Sequence, residues 1–216
     1  MNAKIRRYSW FVLGVVLNSM GIALITKAAL GTSPISSLPY VLSFAFPLTL
    51  GQFTFLVNLL FIAGQILLLR REFAPIQLLQ LVVNVVFSGC IDVSMSLFSW
   101  LQPHNALLQL VSLVAGCAVL ALGISMEVAP GVLMVPGEGM VSALSHATKL
   151  RFGSTKIAFD VTLVATAAVL SLVFFHRLQG LGLGTILSAL LVGRLVNLYN
   201  RRIPLISSIA RLKEAA

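Results

Sequence analysis

Acidic residues are scarce in this chain. Six stand among 216, against fifteen lysines and arginines, for a formal net charge of +9. Charged residues of both signs make up only 10% of the sequence, where soluble domains carry about 25%. That shortage excludes an ordinary soluble fold. Cysteine is nearly absent as well. Cys90 and Cys117 both lie inside apolar runs, where they read as small packing residues and leave a disulfide framework without support. The sequence also lacks a G-x-S-x-G, an H-E-x-x-H, a P-loop and a dinucleotide fingerprint. His104 and His176 stand in loops without metal-ligand spacing. No enzymatic activity, metal or cofactor is therefore expected.

Apolar residues are abundant, at 58% of the chain and a mean hydropathy of +1.01. Such a chain is a polytopic membrane protein. Runs long enough to cross a bilayer fall near 9–28, 52–69, 75–99, 106–127, 154–175 and 182–200. The start, MNAKIRRYSWFVLGVVLNSMGIAL, has the basic end and apolar run of a signal peptide. More spans follow at once, so it is read as an uncleaved first helix. The excess of bases would suggest nucleic acid in a soluble protein. Here the bases sit in short connections and at the tail, so orientation in the membrane explains them and nucleic acid is not expected.

Two segments, 31–48 and 131–149, are left over. Both are moderately apolar and punctuated by proline. They also correspond to one another, because the chain matches itself at an offset of 102 residues. Gly14, Gly21, Pro34 and Gly51 recur as Gly116, Gly123, Pro136 and Gly153, with apolar identities between them. If the two segments do not cross fully, each repeat has three spans, and the second repeat is inverted. Lys4, Arg6, Arg7, Arg70, Arg71, Lys149, Arg151 and the basic tail then share the cytoplasmic face, while Lys27 and Arg177 lie outside. The expectation is an all-α polytopic membrane protein, one membrane domain over 1–216, built of two inverted three-helix repeats. Repeat one covers about 8–100 and repeat two about 106–200. Each holds a re-entrant half-helix, giving six spans plus two partial segments. Residues 201–216 form a cytoplasmic amphipathic tail.

The partial segments read as unwound chain entering the membrane, followed by a short helix. Flat interfacial connections are the alternative, which Pro39 and Pro47 also allow. Pro34 and Pro136 suit the first helical position. Thr32 and Ser33 can cap the first half-helix, Gly51 and Gly153 can end the two half-helices, and Ser154 can cap the span that follows. Irregular backbone survives at membrane depth only against protein or a water-filled cavity. Two such breaks at matching repeat positions point to a transport site. Gly14 and Gly21, copied by Gly116 and Gly123, put small residues on one face of each helix, where two backbones can approach near a pseudo-twofold axis.

Four of the six acids, Asp92, Glu127, Glu138 and Asp160, lie in or beside apolar segments. An intramembrane charge should face protein or water and is a functional candidate by default. Glu138 sits at the second break. Asp160 lies one and a half turns into its span and has Asn58 as its repeat mate. Asp92 maps onto Arg194, which suggests a structural ion pair near the axis. Glu127 ends its helix, where it can simply reach water. Lys27 can snorkel to the outer surface, and His146 is either a surface histidine or a proton relay.

At ALGTSPISSLPYVLS, LTLGQFTFLVNLLFIAG, FSGCIDV and GLGTILSALLVG the chain resembles the YczE/YyaS/YitT group of small bacterial membrane proteins, closest to the YczE type. Ile35 and Ser36 depart from that group's pattern, which usually has Trp-Asp there, whereas Asp92 matches a family position. The resemblance implies a bacterial cytoplasmic-membrane location with multiple spans, and no particular substrate. The leading expectation is a small-solute transporter or exporter, proton-coupled in one version. Its central site would be lined by Glu138, Asp160, Asn58, Pro34, Pro136, Ser33 and Gly137. A passive channel and a non-transporting factor that assists assembly or export are the alternatives. The expected partners are the lipid bilayer and a small solute or ion of open identity; a homodimer is allowed.

Overall fold

The structure is a computed structural model and describes residues 3–212. Residues 213–216, the end of the expected tail, lie outside the described residues. Helices account for about four fifths of the described residues: α1 (Ala3–Lys27), α2 (Ser37–Ala45), α3 (Leu50–Leu69), α4 (Gln80–Leu97), α5 (Ala106–Val128), α6 (Pro136–Thr148), α7 (Phe152–Phe175), α8 (Leu183–Arg202) and α9 (Pro204–Arg211). A short 3-10 turn, Pro34–Ser36, leads into α2. Among the described residues six helical segments are long and apolar enough to cross a membrane, those of α1, α3, α4, α5, α7 and α8. They fall on the six runs read from the sequence, and the chain is an integral, multi-pass membrane protein.

α1 and α5 form the centre. A Cβ on Gly14 would stand 2.7 Å from the Cα of Glu127, and one on Gly21 2.5 Å from the Cα of Leu120. On the other helix, a Cβ on Gly116 would stand 2.7 Å from the backbone N of Ile25, and one on Gly123 2.8 Å from the Cα of Asn18. The partner number falls as the glycine number rises, so the helices run antiparallel. Only glycine permits this approach, which in lipid is stabilised by close packing and by the hydrogen bond from Asn18 Nδ2 on α1 to Glu127 Oε2 on α5. Phe11, Val15, Ile22, Leu113, Cys117 and Leu120 fill the surrounding core. α4 packs on α1 as α8 packs on α5, and α3 packs on α6 as α7 packs on α2 and its leading turn.

The chain breaks after α1 and again after α5. Ala29 and Gly131 both take left-handed backbone, with φ of 59° and 58°, and they stand at the repeat offset. The freed polar groups of the first break are met by the start of α8. Gly184 N–H donates to the carbonyl of Leu30 at 2.8 Å, and Thr32 N–H donates to Thr185 Oγ1 at 3.2 Å. The second break is met by side chains. Arg7 Nε donates to the Pro130 carbonyl at 3.0 Å and Gln65 Nε2 to that of Pro136 at 3.1 Å. Both breaks thus satisfy in protein what lipid could not.

Pro34 and Pro136 occupy the first helical positions, as their missing N–H groups suggest. The other end signals resolve differently. Ser33 stands at the cap position but makes no side-chain cap bond. Gly51 and Gly153 lie in the first turns of α3 and α7 instead of ending the half-helices. α2 stops at Ala45, and α6 stops at Thr148, where Lys149 turns left-handed at φ 58°. Ser154 falls inside α7, whose cap position is Arg151. Thr49 caps α3 through a capping box with Gln52. In the tail, α9 buries Ile206 and Ile209.

Candidate functional site

The N-terminal ends of the two half-helices are buried and their C-terminal ends are exposed. Ser36 and Glu138, the first-turn residues at the repeat offset, line one small cavity of about 20 Å3. Ile35 and Gly137 flank them, and a Cβ on Gly137 would collide with the Ile35 side chain. Asn18 of α1 and Thr54 and Asn58 of α3 complete the polar lining. The space suits one water-sized species.

Four hydrogen bonds fix how these groups point. The Phe55 carbonyl accepts from Asn84 Nδ2 at 3.0 Å, so Asn84 Oδ1 is free to accept from Asn58 Nδ2 at 2.8 Å. That leaves the carbonyl oxygen of Asn58 uncommitted. Glu127 works the same way on the other wall. Its Oε1 accepts from the backbone N–H of Val135 at 3.1 Å and its Oε2 from Asn18 Nδ2 at 2.9 Å, which leaves the Asn18 carbonyl oxygen uncommitted. Glu127 therefore does not reach water. It is 1% exposed and ties α1 to the start of α6. Glu138 is 8% exposed, and its Oε2 is buried without a hydrogen-bond partner among the described residues.

The remaining expected site residues lie at graded distances from this point. Pro34 and Ser33 are buried behind the cavity, where Ser33 Oγ donates to Ser36 Oγ at 3.0 Å. Pro136 starts α6 and gives its carbonyl to Gln65. Asp160 does not line the cavity. It pairs with Lys156 Nζ at 3.3 Å on α7, within Coulombic reach of Glu138. Asp92 and Arg194 are not brought together among the described residues. Asp92 Oδ2 accepts from Thr49 Oγ1 at 2.6 Å and Oδ1 from the Gly51 N–H at 2.8 Å, so it anchors the start of α3. His146 is exposed and stands 3.4 Å from Glu72.

A second, open cavity of about 470 Å3 lies beside α6, lined by Gln65, Gln80, Gly139, Ser142 and His146 among others. Gln65 and Gln80 exchange amide hydrogen bonds at 3.1 Å at its inner end. A Cβ on Gly139 would stand 2.8 Å from Gln65 Oε1, so glycine there lets the glutamine seat against α6. Sequence reasoning missed Asn18, Ser36, Thr54, Gln65, Gln80 and Asn84. The signal for several was present. Thr54, Asn58 and Gln65 share one face of α3, and Gln80, Asn84 and Ser88 share one face of α4, all polar within apolar helices.

Residues 5–201 match a family described as a family of unknown function, DUF6198. The chain belongs to that family. This DUF6198 protein is also 27% identical over 195 residues to the uncharacterized protein YyaS of Bacillus subtilis strain 168, covering 89% of this chain and 92% of that one. The match supports the wider group recognised from the sequence motifs and does not reach its YczE type. No solved structure matches the DUF6198 chain.

Proposed function

We propose that this DUF6198 protein is a small-solute transporter or exporter of the bacterial cytoplasmic membrane, coupled to a cation or proton at Glu138. It has no enzymatic activity in this reading, and both termini are cytoplasmic. The observation that carries the proposal is the small cavity, apolar with five polar residues in its wall, where two helix starts and one unpartnered carboxylate meet. Structural scaffolds rarely maintain an unpaired carboxylate oxygen, because burying one without a partner is strongly unfavourable.

An inverted repeat is part of the proposal. Its support is the exchange of contacts at the offset. Gly14 on Glu127 corresponds to Gly116 on Ile25, and Gly21 on Leu120 to Gly123 on Asn18. Antiparallel α1 and α5, and the matched left-handed residues Ala29 and Gly131, support it as well. In this reading α2 and α6 are re-entrant, and rocking of one repeat against the other exposes the central cavity to each side in turn. The 470 Å3 cavity is the cytoplasmic vestibule. It has the size of a small-molecule pocket, whereas the central cavity holds only the coupling species in this state. The Gln65–Gln80 pair closes the path between them.

The test is solute flux in proteoliposomes containing the full chain. Glu138→Gln is expected to abolish gradient-driven uptake, and Asp160→Asn to reduce it by freeing Lys156 to pair with Glu138. Unchanged uptake in both variants contradicts the assignment. Uptake that neither saturates nor follows a gradient identifies a channel instead.

A further inference from the structure

We propose that the cavity between the half-helix starts is a binding site for a dehydrated sodium ion, held by Glu138 with oxygens of Asn18, Ser36, Thr54 and Asn58. The inference rests on the transport reading and names its coupling ion. The ligand set is the first argument. Asn18 and Asn58 spend their amide N–H groups on Glu127 and Asn84, leaving carbonyl oxygens free. Thr54 Oγ1 spends its proton on the Leu50 carbonyl at 2.8 Å, leaving lone pairs only. Ser36 Oγ accepts from Ser33 and keeps a second lone pair. With the Glu138 carboxylate, the residues lining this space for one water-sized species carry five hard oxygen donors.

Charge is the second argument. Glu127, Glu138 and Asp160 bring three carboxylates to this region, and Lys156, already paired with Asp160, brings one ammonium. The two helix starts offset part of the excess. A bound monovalent cation offsets more and takes the carboxylate oxygen that has no partner. A proton on Glu138 would also remove charge, but it gives one hydrogen bond and leaves the other oxygens of the lining facing each other. The three carboxylates do not converge on one point: among the described residues no three His, Cys, Asp or Glu stand close enough to share a metal ion, and one carboxylate with neutral oxygens suits a monovalent ion better than a transition metal. The concentrated charge of a carboxylate favours Na+ over the larger K+.

The experiment is thermal unfolding of the purified full chain in NaCl, KCl or choline chloride at constant ionic strength. Sodium is expected to raise the midpoint saturably, potassium less, and choline not at all. Thr54→Val keeps the shape of the side chain and removes one donor oxygen. It is expected to raise the half-saturating sodium concentration on the order of tenfold, and Glu138→Gln to abolish the response. Equal midpoints in sodium and choline for the unsubstituted protein overturn the site, as does wild-type half-saturation in Thr54→Val. Flux that persists without sodium, alongside equal midpoints, removes the sodium site and leaves the transport reading standing. A sodium shift in a protein that moves no solute supports the site and removes the transport reading.

Discussion

Single polar groups decide what this molecule can be, because each one placed in the bilayer must find a partner. Asp92 illustrates how a residue's role follows from its neighbours. The offset that paired it with Arg194 was a sequence argument, and the geometry gives it to Thr49 and the Gly51 N–H instead. Asp92→Ala should therefore lower stability by about 1–3 kcal/mol, as loss of a charged cap does. Arg194→Ala should change it by less than about 0.5 kcal/mol. Denaturation in detergent measures both, and equal losses would favour a pair. Glu138, Asn58 and Gly137, which line the cavity, were legible as candidates because a carboxylate, an amide or a glycine is conspicuous in an apolar run. Asn18 was not, and Glu127, though conspicuous as an acid, was expected to reach water. Their meaning depends on a contact across 109 positions of sequence, fixed only by how α1 crosses α5.

The elements were largely legible. Twenty apolar residues can form little but a spanning helix, and proline at the first helical position marks where each half-helix begins. Helix ends were less so. Gly51 and Gly153 carry the composition of terminators, yet each half-helix stops several residues earlier, and the glycines enter the next helix. Glycine has two roles here, and space separates them. A Cβ on Gly123 would meet the backbone of Asn18, whereas one on Gly89 meets nothing within 4 Å. Gly123→Ala is expected to destabilise the protein by about 1–3 kcal/mol through overpacking of α1 on α5. Gly89→Ala, in the middle of α4, should be neutral or stabilise by up to about 1 kcal/mol. Midpoints of thermal unfolding compare the two directly, and the reverse order would contradict the α1–α5 crossing.

At the scale of the whole molecule, two broken segments meet at one small cavity, and a wider, open cavity, the proposed vestibule, lies beside α6. The breaks were visible in the sequence, but the vestibule was not, since Gln65, Gln80 and Gly139 converge only after α3, α4 and α6 have packed. Ser142→Cys, in the vestibule wall, should react with a membrane-impermeant maleimide added on the cytoplasmic side alone. Reaction from the opposite side would reverse the assigned orientation. The most direct measurement joins the two breaks. With Cys90 and Cys117 replaced by alanine, Ile35→Cys and Gly137→Cys are introduced together, because the Ile35 side chain reaches the place a Cβ on Gly137 would take. Mild oxidation in the membrane is expected to form an intramolecular disulfide in high yield, with neither cysteine open to bulk reagent beforehand. Two independently labelled cysteines that never cross-link would place the half-helix starts apart, and the central cavity would not exist.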